Sequence, residues 1–197
     1  MRKDQEPRSG RRIEGPFHAA GEGVEQSDGA PSPFTFLQAH TPVPDGQITA
    51  TLLVPFMPDG RILVIEHSQR GFDIPGGHKD ITDKTSYETA RRELLEETGA
   101  LVGQITPCLI METEPHTSSK AQDPSEPSYM VVMTGVVQNL GRFNPSGEVI
   151  GRHLLTPEVF LESYGGEYQG DMAFIVRTAK QTIESDHGQA PDFSGMN

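Results

Sequence analysis

The sequence predicts an α+β fold with a mixed central sheet. Runs rich in β-branched residues recur along the middle of the chain, whereas helical patterns are confined to three segments. Strands and helices do not alternate as they do in repeated βαβ units, so a wholly parallel sheet is not expected. The 197 residues suffice for one domain with a hydrophobic core.

The first predicted elements are strands. A short edge strand is expected at residues 34–39, and residues 48–56 and 61–67 are predicted to pair as a hairpin. The segment Pro58-Asp59-Gly60 supplies the turn between them. A short extended piece follows at residues 71–75.

Helix signals begin after this extended piece. Ser86 is the expected N-cap of a helix that Gly99 ends. The polar residues 113–127 form a loop long enough to be functional. The remaining elements are strands at 105–112, 129–137 and 148–155, and helices at 157–164 and 171–184.

Composition separates one domain from two tails. Residues 1–33 are polar, rich in Gly, Pro, Arg and Glu, and without periodicity, so we predict a disordered tail. Residues 34–185 carry the predicted elements and form the domain. Residues 186–197 are expected to be a second disordered tail.

Charge and composition exclude several classes of function. A net charge of -12 argues against a surface that binds long nucleic acid through Lys and Arg. No apolar run approaches the roughly 18 residues of a membrane span, and no secretory signal is recognisable, so a cytoplasmic protein is expected. The single cysteine, Cys108, has apolar neighbours and is expected to be a buried structural thiol.

The predicted helix at 86–98 carries a concentrated acidic face. Glu93, Glu96 and Glu97 fall within an arc of roughly 100° on a regular helix. Like charges this close destabilise a helix, and a bound cation would offset the repulsion. The alternative is a solvated acidic face with salt bridges. An adjacent stripe is expected to pack against the sheet: Tyr87, Ala90, Leu94 and Thr98.

The donor chemistry of this face favours Mg²⁺, with Mn²⁺ as the second choice. Carboxylate oxygens suit hard cations, whereas Zn²⁺ would favour His or Cys, and the helix contains neither. Such ions bind diphosphates and lower the pKa of an attacking water. A remaining glutamate can then accept the proton of that water.

Residues 77–100 resemble the Nudix box, the signature of the Nudix hydrolases. The second half of the box has the pattern Arg-Glu-U-x-Glu-Glu-x-Gly, where U is a bulky aliphatic residue. The run Arg92-Glu93-Leu94-Leu95-Glu96-Glu97-Thr98-Gly99 fits this pattern at every fixed position. The preceding Ile74-Pro75-Gly76-Gly77 is similar to the family's usual lead-in.

The box departs from the family pattern in two places. Its first half carries one extra residue, so the first glutamate of the pattern falls on Asp83 counted from Gly77 and on Lys84 counted from Arg92. Asp83 is the expected substitute. Ala100 also stands where the pattern has a bulky aliphatic residue.

The resemblance implies a Nudix-type α/β/α sandwich and metal-dependent hydrolysis of a diphosphate bond. It makes Glu93, Glu96 and Glu97 metal ligands and catalytic residues, one of them able to orient the attacking water. The backbone carbonyl of Gly77 would add a metal contact. Arg92, the fourth predicted catalytic residue, would hold the glutamates through charge-assisted hydrogen bonds.

Further site residues are expected outside the box. The family often draws another acid from a later loop, to bind metal or to act as base. Glu148 is the first candidate and is also predicted to contact the substrate, followed by Glu112 and Glu114. A surface role is the alternative for each of these acids.

Cations and histidines near the box are candidates for the substrate side of the site. Lys79, Arg70 and Lys120 are expected to contact phosphate oxygens, although each alone also fits a solvated position. His67 and His78 flank the two glycines, and His78 is close enough in sequence to deserve a test.

The predicted substrate is a nucleoside diphosphate linked to another group, such as a nucleoside triphosphate or ADP-ribose. Pro115, fifteen residues beyond Ala100, is a weak cue toward ADP-ribose pyrophosphatases. The alternative is a non-catalytic nucleotide-sensing or regulatory module on the same fold. A homodimer is compatible with the resemblance.

Overall fold

A computed structural model describes residues 32–117, 119–145 and 147–188. Most of the two predicted tails therefore lies outside the described residues. The last helix continues through Gly188, so the domain end predicted at residue 185 falls inside that helix.

Most elements occur close to their predicted positions, but the strand predicted at 105–112 already begins at Ala100, and the strand Gly76–His78 was not predicted. A 3₁₀ turn at Asp45–Gln47 precedes the second strand. The strands and helices are β1 (Phe34–Gln38), β2 (Ile48–Phe56), β3 (Ile62–His67), β4 (Gly71–Asp73), β5 (Gly76–His78), α1 (Ser86–Thr98), β6 (Ala100–Thr113), β7 (Ser128–Leu140), β8 (Val149–Leu155), α2 (Pro157–Ser163) and α3 (Gln169–Gly188).

The strands form one mixed sheet, as predicted. Its order is β1-β6-β7-β2-β3-β4, with β5 beside β2 and β8 beside β3. Strands β2 and β7 run parallel, and the other pairs named here are antiparallel. None of the described helices combines the length and the apolar character needed to cross a membrane.

In the predicted hairpin, β2 and β3 pair with each other only next to the turn. The turn closes with a 2.7 Å hydrogen bond from the Met57 N–H to the Arg61 carbonyl, and Phe56 pairs with Ile62. Beyond this point β2 pairs with β5, while β3 pairs with β8 and β4. The separation of the two strands makes room for β5, which contains Gly76 and Gly77.

Two hydrophobic clusters lie on the two faces of the sheet and complete the sandwich. On one face Ala90 and Leu94 of α1 pack with Leu53 and Leu63 of the sheet. On the other face α2 and α3 contribute a second cluster that includes Phe160, Phe174 and Ile175. Burial of both faces explains why the central strands are apolar along most of their length.

The ends of α1 have identifiable causes. The N-cap is Thr85, one residue before the predicted Ser86, and its side-chain oxygen accepts the Glu88 N–H at 3.2 Å. Gly99 ends the helix with φ +69°, a conformation that favours glycine.

The buried stripe of α1 is narrower than predicted. Ala90, Leu94 and Thr98 are buried, whereas Tyr87 is exposed. Tyr87 lies in the first turn of the helix, which reaches past the edge of the apolar cluster.

Candidate metal and diphosphate site

Two glycines allow α1 to approach the sheet closely. Gly76 and Gly77 pair with Leu52 and Thr51 of β2. A Cβ on Gly76 would collide with the Thr51 carbonyl, and a Cβ on Gly77 would collide with the Glu93 carboxylate. The absence of side chains here therefore lets an acidic side chain of α1 lie against the backbone.

The three glutamates of the helix differ in exposure. The Glu93 side chain is 14% exposed and lies over Gly77, whereas the Glu96 side chain is 58% exposed. Glu97 is half-buried, and its Oε2 accepts the Gly76 N–H at 2.9 Å. Glu93 and Glu97 therefore form the inner part of the acidic face, and Glu96 forms its rim.

Arg92 contacts two of these glutamates, as the box predicts. Its Nη1 donates to Glu93 Oε1 at 2.9 Å and to Glu96 Oε2 at 3.2 Å. Its Nη2 donates to the main-chain carbonyl of His78 at 3.0 Å. The guanidinium thus joins α1 to the end of β5.

Of the two positions to which the box pattern could assign its first acid, Asp83 is the one whose side chain faces Arg92. Its two oxygens accept from Nε and Nη2 of Arg92, the shortest contact being 2.8 Å. This hydrogen bonding is the main reason that the pKa of the buried Asp83 falls to about 2. Two hydrogen bonds close the loop: the Asp80 N–H donates to the Asp83 carboxylate at 2.9 Å, and the Asp83 N–H donates to the Asp80 carbonyl at 3.0 Å.

Glu97 lies in an environment that disfavours its negative charge. Burial raises its pKa to about 7, and the charges of Glu93 and Asp73 act in the same direction. Asp73 is itself buried enough to have a raised pKa. A divalent cation would stabilise the ionised carboxylates in such a place.

The donor set fits a hard cation, but its side chains do not already converge. Within the described part of the chain, no three His, Cys, Asp or Glu side chains form a ready metal-binding group. Glu93 and Glu96 are turned toward Arg92, and Glu97 toward the Gly76 N–H. Because positions 93 and 97 are neighbours on one helix face, side-chain rotation alone would bring their carboxylates together.

The predicted phosphate-binding cations occupy two cavities. Lys79 and Lys120 line one of about 760 Å³, together with Asp83. Arg70 lines another of about 420 Å³, together with Asp73 and Tyr164. The interaction of Glu97 with the charges of Asp73 and Arg70 indicates that the smaller cavity adjoins the acidic face.

The acids predicted outside the box have different surroundings. Glu148, immediately before β8, accepts a 2.9 Å hydrogen bond from His67. Glu112 is paired with Tyr129 across β6 and β7, and Glu114 is exposed in the loop that follows. His78 is exposed, and its Nδ1 lies 3.3 Å from the carbonyl oxygen of Thr49.

Sequence reasoning missed three residues around the site. Asp73 precedes the Ile74-Pro75 lead-in, and its place on a short strand ending at the box was the available signal. Tyr164 reaches β4 through a bridge with Phe72, for which the sequence offers no signal. Arg152 of β8 donates to the Thr98 and Gly141 carbonyls and so fixes the C-terminal end of α1.

Comparison with solved structures shows related folds. The Bacillus subtilis pyrophosphohydrolase BsRppH is 18% identical over 76% of this chain and 92% of its own, with a TM-score of 0.59. The NUDIX domain of Shewanella oneidensis NrtR, complexed with ADP ribose, is 16% identical over 70% and 88%, with a TM-score of 0.54. A C. elegans Ap4A hydrolase is 17% identical over 70% and 98%, with a TM-score of 0.51.

Of the two sequence comparisons, the one with family models is consistent with this fold. No curated protein sequence matches the chain. The family model described as the NUDIX domain matches residues 46–172, which include the acidic helix, Glu148 and, except for Asp45, the residues that line the two cavities. The chain therefore belongs to the Nudix family, whose domain covers most of the described residues.

Proposed function

We propose that this protein hydrolyses a diphosphate bond in a nucleoside diphosphate linked to another group, with the help of Mg²⁺ or Mn²⁺. The observation that carries the proposal is the packing of Glu93 and Glu97 against the Gly76-Gly77 backbone, next to a cavity that contains Arg70. A cation held by these carboxylates would lie near a guanidinium that could bind a phosphate.

Glu93, Glu96 and Glu97 would hold the cation, with the Gly77 carbonyl as a further donor. The bound ion would neutralise the diphosphate and lower the pKa of the attacking water. Arg92 keeps Glu93 and Glu96 close to the helix surface. In the reaction, water oxygen bonds to phosphorus, the bridging phosphorus–oxygen bond breaks, and a carboxylate accepts the water proton.

The cavities and the relatives' names support the proposed substrate class. Arg70 and Lys79 line separate cavities, and each is expected to bind phosphate oxygens. BsRppH is named a pyrophosphohydrolase, the NrtR domain binds ADP ribose, and the C. elegans enzyme is an Ap4A hydrolase. We also expect a cytoplasmic location, and a homodimer is compatible with the family.

A substrate screen tests the proposal. Nucleoside triphosphates, oxidised dGTP, ADP-ribose, sugar nucleotides and dinucleoside polyphosphates are incubated with Mg²⁺ and with Mn²⁺, and the products are identified by mass. Turnover is expected, and Glu97→Gln should abolish most of it. Glu162→Gln, on the exposed side of α2, is the matched control and should behave as wild type. Turnover of no compound, or equal turnover by Glu97→Gln, contradicts the proposal.

A non-catalytic nucleotide sensor is the second candidate. The observation that favours it is the engagement of Glu93 and Glu96 by Arg92, which leaves no ready metal-binding group among the described residues. A sensor would bind ADP-ribose or a nucleotide tightly and release it unchanged. Calorimetric titration followed by mass analysis of the ligand separates this outcome from hydrolysis.

A further inference from the structure

His67 lies at the end of β3, on the sheet face that supports α1. Its side chain is 6% exposed. Side chains of a strand alternate between faces, so His67 shares a face with Leu63, which packs with Ala90 and Leu94 of α1. The imidazole is therefore on the same side of the sheet as the acidic helix.

The hydrogen bonds of His67 fix its tautomer. Its Nδ1 accepts the main-chain N–H groups of Gln69 at 3.1 Å and Arg70 at 3.3 Å. A ring nitrogen that accepts carries no hydrogen, so Nε2 carries it. Nε2 is 2.9 Å from Glu148 Oε2 and therefore donates to the carboxylate.

Glu148 is held at two points but remains accessible. Its main-chain carbonyl accepts the Ser68 N–H at 2.9 Å, and the next residue, Val149, is opposite His67 in the register of β3 and β8. Its side chain is nevertheless 67% exposed. A carboxylate that is fixed by a buried donor and exposed to solvent is preorganised to contact a ligand.

One imidazole thus connects two predicted substrate-binding residues. Through Nδ1 it holds the main chain of Arg70, which lines the smaller cavity, and through Nε2 it holds the carboxylate of Glu148. We propose that His67 is a positioning residue that fixes Glu148 and Arg70 as one unit around the diphosphate substrate. This inference rests on the proposed function.

Two substitutions separate the two hydrogen-bonding roles of the ring. In His67→Asn the side-chain oxygen can still accept the Gln69 and Arg70 N–H groups, but the donor to Glu148 is lost. In His67→Gln the amide N–H₂ reaches the Nε2 position and restores that donor. We expect His67→Asn to lower kcat about 10- to 100-fold and to raise KM, because both residues that the ring holds are expected to contact the substrate. His67→Gln should recover much of the loss.

A double-mutant cycle and a matched control complete the test. Glu148→Gln should lower kcat as much as His67→Asn, and the double variant should lose no more than either. The control is His153→Asn. His153 makes a similar contact with Glu66, at 2.8 Å. Glu66 directly precedes His67 in β3, so its side chain lies on the other face of the sheet. His153→Asn should keep wild-type kcat. Wild-type kcat in His67→Asn, or losses that multiply in the double variant, overturn the inference.

A binding measurement separates failure of this inference from failure of the proposed function. If the wild type hydrolyses nothing, the proposed reaction is wrong, and calorimetry with ADP-ribose and Mg²⁺ decides the role of His67. Affinity at least tenfold weaker in both His67→Asn and Glu148→Gln, but not in His153→Asn, supports the positioning role. Equal affinity in all four proteins overturns it.

Discussion

Replacing Asp83 by asparagine removes the charge that anchors Arg92 and keeps the size of the side chain. The wild-type carboxylate accepts from Nε and Nη2 of Arg92 and from the Asp80 N–H. The asparagine oxygen can still accept the Asp80 N–H. That oxygen takes the place of Oδ2 and so still faces Nη2, whereas the amide N–H₂ group takes the place of Oδ1 and faces Nε. The ion pair is therefore lost while the loop retains its own hydrogen bond.

The loss of stability follows from the depressed pKa. The hydrogen bond from Arg92 is the largest cause of the fall in the pKa of Asp83 from 3.8 to about 2. A shift of this size corresponds to about 2 kcal/mol of folding stability. Because the Arg92 side chain is 27% exposed, solvent screening reduces the expected cost of Asp83→Asn to about 1–2 kcal/mol.

The pH dependence gives the prediction its sign. A carboxylate whose pKa is lower in the folded state stabilises the fold above its unfolded pKa. The stability difference between wild type and Asp83→Asn should therefore be full at neutral pH. It should shrink as the pH falls from about 4 toward 2.

Urea denaturation of the two proteins across this pH range measures the difference. Asp59→Asn is the control, because Asp59 pairs with Arg61 at 2.7 Å but both side chains are about half exposed. Its replacement should change stability little. A difference between wild type and Asp83→Asn that is absent, or that stays constant down to pH 2, would refute this account of the loop.

Three further substitutions or treatments test other parts of the structure. Arg152→Ala should lower the free energy of unfolding by about 1–3 kcal/mol in urea denaturation, because the Thr98 carbonyl at the end of α1 loses its charged donor. Gly77→Ala should reduce kcat strongly in the substrate assay, because the new Cβ collides with the Glu93 carboxylate. Burial raises the pKa of Cys108 to about 12, so iodoacetamide should label it only when the protein unfolds, as mass analysis in urea would show.

Local patterns account for most of what the sequence predicts correctly. Residues 48–56 coincide with β2, and the predicted helix at 86–98 coincides with α1, because strand and helix periodicity and the Gly99 stop are local signals. The N-cap was misplaced by one residue, since Thr85 and Ser86 are chemically similar caps. The contact of Arg92 with Glu93 and Glu96 was also predictable, because it follows from helical spacing.

Contacts between distant segments explain what the sequence could not predict. The hairpin turn was recognisable, but the pairing of β2 with β5 depends on the path of the chain after β3. His67 and Glu148 are 81 residues apart, and neither carries a pattern that points to the other. Their hydrogen bond becomes visible only when β8 is placed beside β3.

The extra residue in the box loop has a consequence for the metal site. Asp83 holds Nε and Nη2 of Arg92, whereas Glu93 and Glu96 use only Nη1. Both glutamates can therefore leave the guanidinium for a cation without releasing Arg92 from Asp83. Because the loop closes by hydrogen bonds between Asp80 and Asp83, the longer loop still presents the Asp83 carboxylate to Arg92. The anchoring of Arg92 by Asp83 thus keeps a competing positive charge at a fixed distance from the cation that the acidic face would bind.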